Sequence, residues 1–320
     1  MQTRVGVIGA GKWGQNLVRT FAQLGVLGGV AERDPLIRRE LSKRFPEVPL
    51  YAEADCLLKK EADISALVIA TPADTHYMLS KAALLADKDV LVEKPLALSH
   101  KEASELVKIA EKKARILMVG HLLLYQDAVP KIKNCLTSGI IGQPLIFYQE
   151  RLKLGKVRSV ENVLWSFGVH DLAVLFYLIG EAPQKAPVIS VTRHCALQNK
   201  IEDDVFLHLQ FSEGIRAHLH VSWLWPVQRR SLTIVGSEAM LIYDEIQQKV
   251  ILHKKKVRGD YLIQDEGSEI ICQGKPEPLV NECRSFLECV CQRTRPLSDG
   301  CSALPVIAVL EKATQKLREM

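Results

Sequence analysis

A short apolar run near the start of the chain, Val5-Gly6-Val7-Ile8, ends directly on Gly9-Ala10-Gly11-Lys12-Trp13-Gly14. Beyond it Leu17, Val18, Phe21 and Leu24 recur at helical spacing until Gly25 stops the pattern. A Gly-x-Gly-x-x-Gly between a strand and a helix narrows the fold more than any other feature of the chain. The first glycine permits a tight turn, the second lets a pyrophosphate approach the backbone, and the third lets helix and strand pack closely. The helix N-terminus then turns its amide groups toward the phosphates. In this context Gly9, Gly11, Lys12, Trp13 and Gly14 predict a dinucleotide site.

The grammar continues. Short apolar runs at 27–31, 48–51, 66–69, 90–92 and 116–119 alternate with helical patterns at 35–45 and 75–86, and with one opened by a Ser99-His100-Lys101-Glu102 capping box. Strands separated by helices imply right-handed crossovers and a parallel sheet. Six strands complete a doubly wound nucleotide fold by about residue 120. A helix over 127–138 follows. Strand-like segments then dominate, at 145–152, 188–194, 205–211, 215–223, 231–235 and 240–243, with glycines punctuating later strands. Helical patterns at 279–291 and 302–317 close the chain. The expectation is an α/β protein. Residues 1–120 form an N-terminal Rossmann domain with a doubly wound parallel sheet. Residues 121–320 form a C-terminal α+β domain with a large, mostly antiparallel open sheet, helices on one face and the other face available for oligomerisation. The length of 320 residues suits about two domains.

Composition excludes other classes. With 48% hydrophobic and 25% charged residues the chain is ordinary for a folded protein, so disorder is ruled out. The net charge of +5 suits an anionic small ligand, and no basic helix or aromatic motif points to nucleic acid. The apolar run at 172–179 is far short of the ~20 residues a membrane span needs. The N-terminus resembles no signal peptide, so a cytoplasmic protein without membrane insertion is expected. Eight cysteines without a Cys-x-x-Cys pair read as reduced, mostly buried thiols. His194, His208, His218 and His220 fall on strands without supporting ligands, so no metal site is expected.

Glu32 ends the second strand, where an acidic residue binds ribose hydroxyls. A carboxylate there repels a 2′-phosphate, which favours NAD over NADP. Arg33 can stack on adenine or receive a phosphate, and Asp34 before Pro35 reads as a helix cap. Ala70-Thr71-Pro72 and Glu93-Lys94-Pro95 end two further strands, at the carboxyl ends where ligands sit in such sheets. From the tripeptide alone, Lys94 is either a proton-transfer group beside the nicotinamide or a surface cation paired with Glu93.

The glycine fingerprint, Ala70-Thr71-Pro72 with His76 four residues beyond, and Glu93-Lys94-Pro95 together resemble the Gfo/Idh/MocA family of sugar-type dehydrogenases, over nearly the whole chain. Glu-Lys-Pro is the most specific element. The resemblance implies a Rossmann domain, a second α/β domain, and homodimers or homotetramers built through the open sheet. Many members carry an Asp four residues before a catalytic His. His170 matches that His, Ser166 stands in the Asp position and Asp171 follows, a departure from the inositol dehydrogenase and glucose–fructose oxidoreductase pattern. Segments 151–158 and 162–171, with Ser222-Trp223-Leu224 and Pro226, instead resemble a branch that oxidises the C3 hydroxyl of UDP-N-acetylglucosamine to a 3-keto sugar nucleotide for amino-sugar and lipid A synthesis. Lys153 and Trp225 depart from that branch.

The resemblance implies Lys94 and His170 as the proton-handling pair, with either as the base, and Asp171 orienting His170 or holding a substrate hydroxyl. Arg151, Asn162 and Trp165 join them at the substrate. Lys156 and Arg158, in a basic loop, suit a diphosphate or are simply solvated. His76, Glu93 and His121 join the cofactor set, with linker packing the alternative for His121. Core packing is the alternative for Trp165. Rival readings are another substrate of the class, UDP-N-acetylglucosaminuronate or a cyclitol, and a non-catalytic NAD-binding sensor. A sensor has no need of Lys94 and His170.

Overall fold

The computed structural model describes residues 3–319 apart from 60–62, 156, 158–160, 181–185, 199–200, 213 and 275–276. The chain divides into two compact units, Met1–Leu122 with Glu277–Ile307, and Leu123–Pro276 with Ala308–Met320.

The first unit is a six-stranded parallel sheet in the order β3-β2-β1-β4-β5-β6. Its strands are β1 (Arg4–Ile8), β2 (Leu27–Ala31), β3 (Leu50–Tyr51), β4 (Ile64–Ile69), β5 (Asp89–Glu93) and β6 (Leu117–Gly120). The chain order reverses between β1 and β4, and a ligand crevice opens beyond the carboxyl ends of the strands at such a reversal. Continuous apolar strands such as β4 are buried on both faces, as a helix-covered parallel sheet requires. Helices α1 (Gly14–Gln23), α2 (Pro35–Arg44), α3 (Ala54–Lys59), α4 (His76–Leu85) and α5 (His100–Lys113) make the crossovers. Ser99 accepts from the Glu102 amide at 3.2 Å, so the expected cap opens α5. Asp34 likewise caps α2, accepting from the Leu36 amide at 2.8 Å.

This unit also contains a late segment of the chain, which departs from the expected boundary at 120/121. Helix α8 (Pro278–Gln292) packs on α1. Arg293 then forks onto the buried Asp89 carboxylate at 2.6 and 3.0 Å. Ser298 exchanges hydrogen bonds with Val119, its hydroxyl donating at 2.6 Å and its carbonyl accepting at 2.7 Å. That contact covers the otherwise open edge of β6. An amphipathic helical pattern shows that a helix has a core face, not which core it joins.

The second unit carries an eight-stranded sheet, β14-β13-β12-β11-β7-β10-β9-β8. Its strands are β7 (Pro144–Leu152), β8 (Val188–His194), β9 (Asp204–Gln210), β10 (Arg216–Ser222), β11 (Arg229–Gly236), β12 (Met240–Asp244), β13 (Lys249–Val257) and β14 (Ile263–Gln273). Among the described residues of this sheet only β7 and β10 pair in parallel. Helices α6 (Ala128–Thr137) and α7 (Val169–Ile179) belong to this unit, and α7 is apolar nearly all round and almost wholly buried.

Among the described residues no helix is long and apolar enough to cross a membrane, and no group of three or more His, Cys, Asp or Glu could hold a metal ion. The eight cysteines are thiols, but only Cys135, Cys283 and Cys289 are buried and Cys291 is exposed. They are therefore less buried than expected.

Candidate active site

In the first unit the glycine loop closes one end of a cavity of about 820 Å³, within the ~300–1,000 Å³ typical of small-molecule sites. Gly9 has φ +87°, and a Cβ on it would lie 2.8 Å from the Ala70 carbonyl oxygen. A Cβ on Gly14 would lie 2.1 Å from the Gly9 oxygen. Only glycine fits either position. At Gly11 an added Cβ meets nothing within 4 Å, so its face is open toward a ligand. The same cavity is lined by Lys12, Trp13, Glu32, Arg33, Ala70, Thr71 and Pro72. Glu32 accepts from the Ala10 amide at 2.6 Å and the Asp34 amide at 2.9 Å, which fixes its carboxylate in the wall. The open face of Gly11 and the acidic wall residue fit the pyrophosphate and ribose of a dinucleotide. Gly11→Ala is expected to leave the melting temperature within about a degree and to weaken NAD binding at least ~10-fold, measured by calorimetric titration. Asp74, Thr75 and Met78 also line the cavity, which sequence reasoning missed. They follow Pro72 through a single helical turn into α4, and that spacing was the available signal.

Beyond β5 lie the groups that handle charge. Trp13 donates its indole N–H to Glu93 Oε1 at 2.5 Å. Protein packed around the Glu93 carboxylate pushes its pKa up to about 7, against the Trp13 bond and the Lys94 cation. Lys94 is half-buried at the end of the strand, and the Lys94–Pro95 peptide is cis. His121 is 2% exposed, and neither ring nitrogen has a hydrogen-bond partner among the described residues. Burial, aided by Lys94, lowers its pKa to about 3, so it is neutral.

His76 corrects an expectation. It is 1% exposed, with Nδ1 2.7 Å from the Pro95 oxygen and Nε2 2.9 Å from the Thr71 oxygen. Burial lowers its pKa. Both nitrogens face backbone carbonyls, so the ring ties the Ala70-Thr71-Pro72 turn to the Glu93-Lys94-Pro95 turn and has none left for a cofactor.

In the second unit Val163 opens a single π-helical turn, Leu164–Gly168, that leads into α7. His170 lies half-buried in the first turn of that helix. Its neighbours differ from expectation. Arg151 is 6% exposed and donates to both oxygens of Asp171, each at 2.9 Å. It also donates to both oxygens of Glu245, at 3.2 and 2.6 Å, and Arg230 reaches Glu245 at 3.1 Å. Two cations and two carboxylates balance. Burial works against the Glu245 anion, but the two guanidinium groups hold its pKa below the usual range. Arg151 and Asp171 therefore brace the start of α7 from inside and are not open to substrate. Asn162 is spent as well, donating to Glu202 at 2.8 Å and accepting from the Trp165 amide at 3.1 Å. The Trp165 indole donates to Thr314 at 2.8 Å and the ring is 9% exposed, so it packs in the core. Lys156 and Arg158 lie outside the described residues.

Comparison with known proteins agrees with this geometry. Residues 3–121 match the model of the Gfo/Idh/MocA oxidoreductase family, NAD-binding Rossmann fold, and residues 130–242 match a Gfo/Idh/MocA C-terminal domain. The chain belongs to the Gfo/Idh/MocA oxidoreductase family, and NAD is its cofactor. It is 27% identical to the UDP-N-acetylglucosamine 3-dehydrogenase of Acidithiobacillus ferrooxidans, over 95% of this chain and 94% of that one. It is also 27% identical to an inositol 2-dehydrogenase of Burkholderia multivorans, over 69% and 67% of the two chains. A solved structure of the Acidithiobacillus ferrooxidans enzyme superposes with a TM-score of 0.84 at 24% identity, covering 98% of this chain and 96% of that one, which shows the shared fold.

Proposed function

We propose that this oxidoreductase removes hydride from C3 of a UDP-N-acetylhexosamine, with UDP-N-acetylglucosamine the substrate expected, giving the 3-keto sugar nucleotide. The observation that carries this reading is coverage: the sugar-nucleotide dehydrogenase aligns over almost its full length, whereas the inositol enzyme aligns over about two thirds. Ser166, where inositol-type members have Asp, weighs the same way. A product of this kind suits supply of an amino sugar, as in lipid A synthesis, in the cytoplasm.

Bound NAD supplies the hydride acceptor. The chain supplies the handling of the proton. Lys94 presents an ammonium or amine at the end of β5, able to hydrogen-bond the reacting oxygen and steady developing alkoxide charge. His170, an imidazole at the mouth of α7, is suited to take the hydroxyl proton near neutral pH. Asp171 contributes by pinning the helix turn through Arg151 and not by touching substrate. Lys156 and Arg158 are proposed to hold the diphosphate. Replacing both with Ala is expected to raise KM for the UDP-sugar by ~10–100-fold with kcat changed only a few-fold, measured by initial rates. Tyr148 and Ile242 flank Thr233 in register across β7, β11 and β12, and both are 37% exposed. That row on the sheet face supports assembly as a homodimer or homotetramer. The reading is tested by following NADH absorbance with UDP-N-acetylglucosamine and, separately, with a cyclitol. Turnover of the UDP-sugar supports it. Turnover of the cyclitol alone overturns it.

A further inference from the structure

The acid on α8 is unexplained by the cofactor site. Glu282 is 0% exposed, and neither carboxyl oxygen has a hydrogen-bond partner among the described residues. A buried carboxyl left without partners is rare and calls for a physical reason. The charged group that acts on it is a second carboxyl. Glu93 lies within electrostatic reach, and its carboxyl is fixed against β6, since a Cβ on Gly120 would sit 3.1 Å from it. Trp13 donates to Glu93 from the start of α1, Lys94 follows on β5, His121 follows on β6, and Cys283 stands next to Glu282. No cation other than Lys94 appears among the groups that act on this pair.

Two neighbouring carboxyls in such a place do not both ionise near neutral pH. Burial, with the Glu93 charge added, raises Glu282 well above the usual carboxylate range. Glu93 therefore ionises first, and Glu282 keeps its proton. We propose that Glu282 is a positioning residue for Lys94: its retained O–H serves the Glu93 carboxylate through a water, so that the pair presents a single stabilised negative charge beside the Lys94 ammonium. No proton is transferred in this arrangement; it stays on Glu282. The consequence for the reaction rests on Lys94 acting as proposed above. The arrangement of the acid pair does not.

The test therefore reads Glu93 in the free enzyme. Trp13 is 40% exposed and hydrogen-bonded to Glu93, so its fluorescence reports that carboxyl, with Trp13→Phe identifying the signal among the four tryptophans. The full-length enzyme is expected to show a transition near pH 7. Glu282→Gln keeps an N–H donor, and the transition is expected to stay within about half a pH unit. Glu282→Met matches the volume but removes the donor. It replaces a buried carboxyl with an apolar side chain, so it is expected to fold, and its transition is expected to rise by about one pH unit or more. The same rise is expected in the acidic limb of the kcat/KM profile. Equal transitions in the wild type and Glu282→Met overturn the proposal, because a packing role moves stability and not this midpoint. Loss of the transition in Glu282→Gln also overturns it, because Glu282 would then be the group that titrates. Failure of the UDP-sugar assay leaves the fluorescence result intact, so the two readings fail separately.

Discussion

Lys94→Ala is expected to lower kcat by roughly 10²–10⁴-fold, the contribution usual for a positioned proton-transfer group. That corresponds to ~3–5 kcal/mol on the barrier. The side chain is half-buried at a strand end and carries none of the glycine-loop geometry, so NAD affinity is expected within about threefold of the wild type and the melting temperature within a degree or two. Steady-state rates beside calorimetric NAD titration check both halves. An unchanged kcat would remove Lys94 from the chemistry.

Arg151→Ala is expected to be the most destabilising single change at the site. It leaves the Asp171 and Glu245 carboxylates buried, with Arg230 still on Glu245 and nothing on Asp171 among the contacts described. Breaking a buried pair by removing one partner costs about 3–5 kcal/mol, or roughly ten degrees in melting temperature for a unit of this size. Arg151→Lys is expected to recover little, since a single ammonium cannot fork onto two carboxylates. Because the network braces the first turn of α7, a surviving Arg151→Ala enzyme is expected to lose kcat beyond its loss of stability. Scanning calorimetry is the measurement, and a loss below about 1 kcal/mol would show that the charges are not paired as described.

The contrast between these residues marks how far the sequence could be read. The parallel sheet was legible because its strands are short apolar runs separated by helical patterns, with glycine closing β1 and β6, and the Gly9-x-Gly11-x-x-Gly14 turn admits few other conformations. The antiparallel strands were legible where apolar and polar residues alternate, as in β9. Helix α3 was missed because 54–59 is short and its apolar residues are only Ala54, Cys56, Leu57 and Leu58. The site divides differently. Residues whose role comes from backbone geometry, such as Gly9 and Gly14, sit where the motif predicts. Polar residues were harder, because a side chain read alone does not declare its partner. Arg151 looks like a substrate contact until Asp171 and Glu245, 20 and 94 positions away, are found on its fork. His76 and Trp165 look like ligand contacts until Pro95, Thr71 and Thr314 are seen to occupy their nitrogens. Glu282 carries no signal in the sequence, since one acidic residue in an amphipathic helix normally faces water. Only burial made it notable.

The central claim is that hydride leaves C3 of a UDP-N-acetylhexosamine for NAD. The most direct test incubates the enzyme with NAD and UDP-N-acetylglucosamine carrying deuterium at C3, with hydroxylamine present to trap the ketone, and reads the reduced cofactor by mass spectrometry. The expected result is NADH that carries one deuterium, together with a 3-oxime sugar nucleotide. Unlabelled NADH, or no reduction with this sugar while a cyclitol is oxidised, would contradict the account.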